Sequence, residues 1–356
     1  MSRKISGLTV KARIYGGFLL ILAFLSIVAV VTFLGFSTVA TNVETFASVS
    51  DNALRVSQIE REIVGLRRNA FIYSQNGDQQ ALKRIRELEP HLRANFKAAI
   101  AATADAERKA NLEQMARLFE QYIGNLNRIV DLKATNDKTY QGAVAIGGGL
   151  TKSLSDLIDN ALGLKDWDTG AFAGKAQEQL LQMRMGVLRF VADPNQKYID
   201  AFKEQYTAAA KAMKILLDTE KDLEHRRQIE AVATGLPGYE KSVAELATQL
   251  FEIDRLVSKD NAALAAQMAD LAEKTKASQA KYLHELSAAT LSTAATQKMT
   301  GAVVSAIAIA LGLIFAYLIA RSILVPVNRM TEAMGDLAGG KLDAEVPALD
   351  RHDEIG

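Results

Sequence analysis

The chain has 356 residues, a formal net charge of +1 and no cysteine. Near-neutrality gives no field that would favour nucleic acid or acidic substrates, and the missing thiols exclude disulfides and thiolate metal sites. Few prolines and few aromatics in an apolar-rich chain point to an all-α protein.

Residues 1–13 carry Arg3, Lys4, Lys11 and Arg13 and no acid, and read as a cytoplasmic N-terminus. The uncharged run from Ile14 to Phe36 exceeds the roughly 20 residues that cross a hydrocarbon layer. A cleaved signal peptide is shorter and has a small-residue cleavage site close behind, so 14–36 is expected to be an uncleaved first transmembrane helix, its basic end cytoplasmic.

Residues 37–298 are polar, nearly free of proline, and apolar at helical spacing. Leu54, Ile59, Ile63, Leu66 and Ala70 mark one face of a first helix, which Gly77 ends. Asp78 caps a second helix to about residue 102. Asp105 caps a third, through Leu112, Met115, Leu118, Tyr122, Leu126 and Ile129 to about residue 164. Within it Gly147-Gly148-Gly149 is unexpected, since each glycine costs about 1 kcal/mol in a helix; it reads either as a hinge or as a break. Trp167 to Gly174 reads as a loop, Lys175 to Ala192 as a fourth helix, and Asp193-Pro194-Asn195 as a turn. A fifth helix reaches about Asp218. The sixth, with a bend expected at Pro237-Gly238, runs into a second uncharged segment, 299–320, the second transmembrane helix.

After that span come Pro326, tolerated in a first helical turn, and Val327, Met330, Met334 and Leu337, a short amphipathic helix stopped by Gly339-Gly340. Leu342 and Val346 are isolated apolar residues in a connector, and Asp353-Glu354-Ile355-Gly356 would open a second helix with acids at its positive end. This order of parts over 321–356 resembles the HAMP domain, the parallel four-helix linker of dimeric bacterial receptors. The resemblance implies a homodimer, roles in signal transmission for Pro326, Asp353, Glu354 and Gly356, and an incomplete HAMP domain whose output module lies downstream. Arg321 and Arg329 place this end on the cytoplasmic side too, and 37–298 outside, in the periplasm.

Shifting the sequence by 117 lays Leu66-Arg67 on Met183-Arg184, Tyr73 on Phe190, Asn76-Gly77-Asp78 on Asp193-Pro194-Asn195, and Tyr122 on Tyr239. Heptad-like helices match one another easily; taken as a repeat, the pattern makes two modules, a membrane-proximal and a distal four-helix bundle, stacked and sharing the long third and sixth helices. The six helices, the Leu66-Arg67 pair, the Asn-Gly-Asp turn and Leu181-Gln182-Met183-Arg184 resemble the helical bimodular sensor domain of chemoreceptors and some sensor kinases. Members that recognise small organic acids do so with arginines inside the bundles. Where some carry a second arginine three residues on, this chain has Ala70 and Val187.

Arg67 and Arg184 are the leading ligand-binding candidates, because the guanidinium fork holds a carboxylate bidentately. Arg61 and Arg68 beside the first, and Arg189 beside the second, would complete the clusters, although exposed arginines are commonly paired with an acid one turn away. Tyr122 and Tyr239 either donate hydroxyls to a ligand or pack the bundles. His91, His225, His284 and His352 are scattered, and no catalytic or metal motif stands out, so neither cofactor nor metal is expected. The expected protein is the non-enzymatic input half of a methyl-accepting chemotaxis protein in a bacterial inner membrane. It would bind a small carboxylate and signal to an adaptor and the chemotaxis kinase, with no nucleic-acid partner. The alternatives are the input half of a histidine kinase or cyclic-dinucleotide cyclase, or a sensor of a partner protein.

Overall fold

A computed structural model describes residues 9–341, Pro347, Asp353 and Glu354. Leu342, Val346, His352, Ile355 and Gly356 lie outside the described residues. Among those described, the elements are α1 (Val10–Asn76), α2 (Gln79–Ala101), α3 (Ala106–Gly163), α4 (Trp167–Ala192), α5 (Gln196–Thr219), α6 (Leu223–Arg255), a π-helical turn (Leu256–Asn261) and α7 (Ala262–Ala338). The chain forms two compact units, residues 52–278 and residues 1–51 with 279–356.

In residues 52–278 the starts of α2 to α6 each have a side-chain cap. Asp78 accepts from the Gln80 and Ala81 amides at 2.7 and 3.3 Å, Asp105 from Arg108, Asp166 from Thr169, Asn195 from Lys197, and Asp222 from Glu224 and His225. These oxygens satisfy amides that a helix cannot pair internally. Gly77 ends α1 at φ +71°, a left-handed cap that glycine adopts without a Cβ clash.

Two hydrophobic cores follow one another along α3, whose 58 residues extend about 87 Å. The first gathers α1, α2, Leu112 to Ile129 of α3, and the π-turn with the start of α7; the second gathers α4, α5, α6 and Ala143 to Leu157 of α3. The repeat is real in three dimensions. Adding 117 to the first residues of α2 and α3, 79 and 106, gives those of α5 and α6, 196 and 223. Buried residues pair likewise: Ile63 with Leu180, Leu66 with Met183, Tyr73 with Phe190, Met115 with Val232, Tyr122 with Tyr239, Ile129 with Leu246.

The pairing slips by one beyond the π-turn. Ala143, Leu150 and Leu154 correspond to Asn261, Met268 and Ala272 at a spacing of 118 (143 + 118 = 261), all buried. The helix through α6 and α7 therefore carries one more residue than α3 between equivalent packing positions. A π-turn, with its i→i+5 bonding, absorbs that residue without breaking the helix.

Three expectations for residues 37–298 need correction. Trp167 to Gly174 is the first part of α4, since the Asp166 cap starts the helix there. Leu54 is 67% exposed and leaves the core face to Val56, Ile59, Ile63 and Leu66. Gly147 to Gly149 lie inside α3 without breaking it. Pro237 lies within α6, and a π-helical turn follows at Leu256–Asn261.

In the other unit, α1 and α7 contain stretches long and apolar enough to cross a membrane, judged by length and composition. Pro326 lies inside α7, so no new helix begins there. The helix stops at Ala338, where Gly340 takes φ +89° and the amides of Gly340 and Lys341 turn back to the carbonyls of Leu337 and Asp336.

Deleting Ser258 removes the excess residue, so α6 and α7 should join as one regular α-helix with both buried stripes still in phase, whereas deleting Lys138 from α3, which has no excess to give up, should rotate its second stripe by about 100°. In denaturant unfolding the Lys138 deletion should cost more than Leu154→Ala, itself about 2–5 kcal/mol, and the Ser258 deletion much less; equal losses would contradict the register role of the turn.

Candidate functional site

Arg67 and Arg68 on α1, Tyr122 on α3, and Val257, Asn261 and Ala262 on the π-turn and α7 line a cavity of about 340 Å³, closed by Val64, Ala70 and Phe71. Both arginines are on the exposed side of α1. No residue among those described accepts a hydrogen bond from Arg67 or Arg68. Tyr122 is 2% exposed, and burial pushes its hydroxyl up to about 12, partly offset by the Arg67 charge. At neutral pH the cavity thus presents two permanent cations and a neutral phenol, a donor set for an anion.

The equivalent place in the second bundle is filled differently. Arg184 donates from Nη1 to the Thr151 hydroxyl at 3.0 Å, and its Cδ and the Tyr239 ring lie over Gly147. A Cβ on Gly147 would sit 3.2 Å from Tyr239 Cε2 and 3.4 Å from Arg184 Cδ. Gly147 does not break α3 and is the close approach that lets it meet this pair, whereas Gly148 and Gly149 face open space. Tyr239 is 2% exposed; burial pushes its hydroxyl up to about 12, with Arg184 pulling the other way. The structure so brings Arg67 to Tyr122 and Arg184 to Tyr239. Arg61 and Arg189 are exposed and belong to neither group.

A further cluster escaped the sequence reading. At one end of the second bundle Glu220 Oε2 accepts from the Thr169 hydroxyl at 2.8 Å and lies 3.3 Å from His225 Nδ1, with Asp166 Oδ2 3.9 Å from that nitrogen. Burial opposes ionisation of Glu220, but the Asp222 and Lys221 amides and the Thr169 hydroxyl outweigh it and hold its carboxyl below the usual value. The three ligand atoms lie within 4.8 Å of one another, close enough to meet at one cation. Asp166 and Glu220 are, however, already engaged by the Thr169 amide, the Asp222 amide and the Thr169 hydroxyl, so the trio serves first to tie the α3–α4 turn to the α5–α6 turn. Only the capping pattern of Asp166 and Asp222 hinted at it in the sequence.

In the other unit Asp353 and Glu354 meet the start of α1. Asp353 Oδ2 lies 2.7 Å from Arg13 Nη2, and Glu354 Oε2 accepts from the Val10 amide at 2.6 Å. That amide holds the Glu354 carboxyl below its usual value. Acids at a helix N-terminus satisfy its unpaired amides and its dipole.

Residues 318–356 match the HAMP domain, beginning three residues before the boundary expected from the sequence. Compared with curated proteins, the chain has no match. A HAMP domain following two helices apolar and long enough to span a bilayer makes this a transmembrane signalling receptor.

Two outcomes follow from this geometry. Gly148→Ala should raise stability by about 0.5–1 kcal/mol, as alanine does at an open helical position, while Gly147→Leu should lower it by displacing Tyr239 and Arg184; the two melting curves must shift in opposite directions. Tyr122 and Tyr239 ionise less readily folded than unfolded, so the stability they contribute is complete below pH 10 and disappears as pH rises through 12. Unfolding across pH 9–12 should show that loss, reduced in Tyr122→Phe/Tyr239→Phe.

Proposed function

We propose that the chain is the sensory input half of a chemoreceptor. Its helical domain, residues 37–298, would bind a small carboxylate in the periplasm and signal through the HAMP domain to an adaptor and the chemotaxis kinase. The observation that carries this reading is the cavity in which Arg67, Arg68 and Tyr122 face one space of about 340 Å³, the volume of a small metabolite site. Binding acts by favouring one packing of the bundle, and a displacement of about 1–2 Å along α7 would reach the HAMP helix.

A parallel homodimer is supported by apolar residues that one chain leaves uncovered. Val64 and Phe71 on α1 are 59% and 55% exposed, and their equivalents on α4 (64 + 117 = 181, 71 + 117 = 188), Leu181 and Leu188, are 44% and 56% exposed. Met334 on the HAMP helix is 68% exposed. Stripes of this kind mark association surfaces. The chain itself we read as non-enzymatic; a histidine kinase or cyclic-dinucleotide cyclase using the same input half would leave the ligand chemistry unchanged.

The test is a thermal-shift screen of the full chain in lipid nanodiscs against organic acids, amino acids and polyamines. An acid at a hundredfold excess over its dissociation constant stabilises by about 2.7 kcal/mol. Loss of that shift in Arg67→Ala assigns the first bundle, and loss in Arg184→Ala the second. Stabilisation by cations alone would overturn the arginine assignment, and a folded chain that answers to no compound would point to a partner protein as the stimulus.

A further inference from the structure

Asn261 closes the π-turn and lines the cavity with Arg67, Arg68 and Tyr122. It is 3% exposed; its Oδ1 accepts from Asn125 Nδ2 at 2.9 Å, and its own Nδ2 is buried without a hydrogen-bond partner among the described residues. An unpaired buried donor carries a desolvation penalty, and native proteins rarely keep one without a reason. Packing offers none: the equivalent position in the second bundle is Ala143, which fills the same place in the core with a methyl group.

We infer that Asn261 is a ligand-binding residue, donating from Nδ2 to an acceptor oxygen of the acid whose carboxylate is held by Arg67. This rests on the reading of the cavity as an anion site and adds its second contact. Asn125 fixes which way the amide faces, so the donor is oriented before the ligand arrives. The ligand class is a small carboxylic acid whose oxygens reach both α1 and the π-turn, through the two oxygens of one carboxylate or through a second acceptor elsewhere on the molecule. The contact falls on the turn where the packing phase of α6 changes to that of α7, so an occupied site ties α1 directly to the start of the helix that continues to the second apolar span.

The experiment measures binding by calorimetry to the full chain in lipid nanodiscs, with acetate, butyrate and succinate as probes. Butyrate and succinate share a chain length and differ by one carboxylate, so a succinate preference of tenfold or more identifies a second acceptor, and equal affinities identify two oxygens of one carboxylate. In either case Asn261→Ala should weaken the best acid at least tenfold, and Asn261→Asp, which sets a negative charge against it, should remove binding. Without ligand Asn261→Ala should melt no lower than the parent, because the unpaired donor is gone. Should that variant unfold, Asn125→Ala releases the Asn261 amide without altering the cavity wall and should weaken binding at least threefold; unchanged affinity there overturns the inference. Binding retained in both Asn261 variants but lost in Arg67→Ala also overturns it while leaving the anion site standing. If none of the acids binds the parent chain, the anion reading fails, and the role of Asn261 with it.

Discussion

Everything in residues 52–278 depends on one constraint: α3 is a single helix that must present packing positions to two cores in turn. Its buried residues keep heptad phase from Leu112 to Leu157, so the helix that packs beside it through both bundles has to keep phase as well. That helix carries one residue too many between the cores. The π-turn at Leu256–Asn261 takes up the excess, and α6 and α7 each bury the correct face.

The two bundles therefore share one structural plan and differ in what surrounds the arginine of each. Each sets an arginine near a buried tyrosine, and 117 positions separate Arg67 from Arg184 and Tyr122 from Tyr239. In the second bundle Arg184 donates to Thr151 and packs with Tyr239 over Gly147. In the first, Asn261 stands at the position equivalent to Ala143 and lines a cavity with Arg67. A polar group beside a helix irregularity suits a receptor, because a ligand contact there acts on the element that sets helix register.

Much of this was legible in the sequence, for identifiable reasons. Capping residues announce helix starts by their own chemistry, so Asp78 and Asp105 located α2 and α3, and Gly77 and Gly339-Gly340 located helix ends. The offset of 117 was visible because turns and anchors shift together. The π-turn was not read: a slip of one residue inside a continuous apolar helix shows only when buried positions such as Ile253, Asn261 and Ala265 are known. Gly170 and Gly174 suggested a loop that the Asp166 cap overrides. Arg61 is close to Arg67 in sequence, yet six residues of helix turn it to a different direction. The role of Gly147 depends on Tyr239, which is remote in the chain, and Asn261 belongs to no motif.

The most direct measurement is amide hydrogen exchange on the full chain in nanodiscs, with and without the acid found to stabilise it. The account predicts slower exchange in three segments together, around Arg67 on α1, around Tyr122 on α3 and across Leu256–Ala262, with the segments around Arg184 and Tyr239 unchanged. Protection centred on Arg184 and Tyr239 with the π-turn unaffected would contradict it.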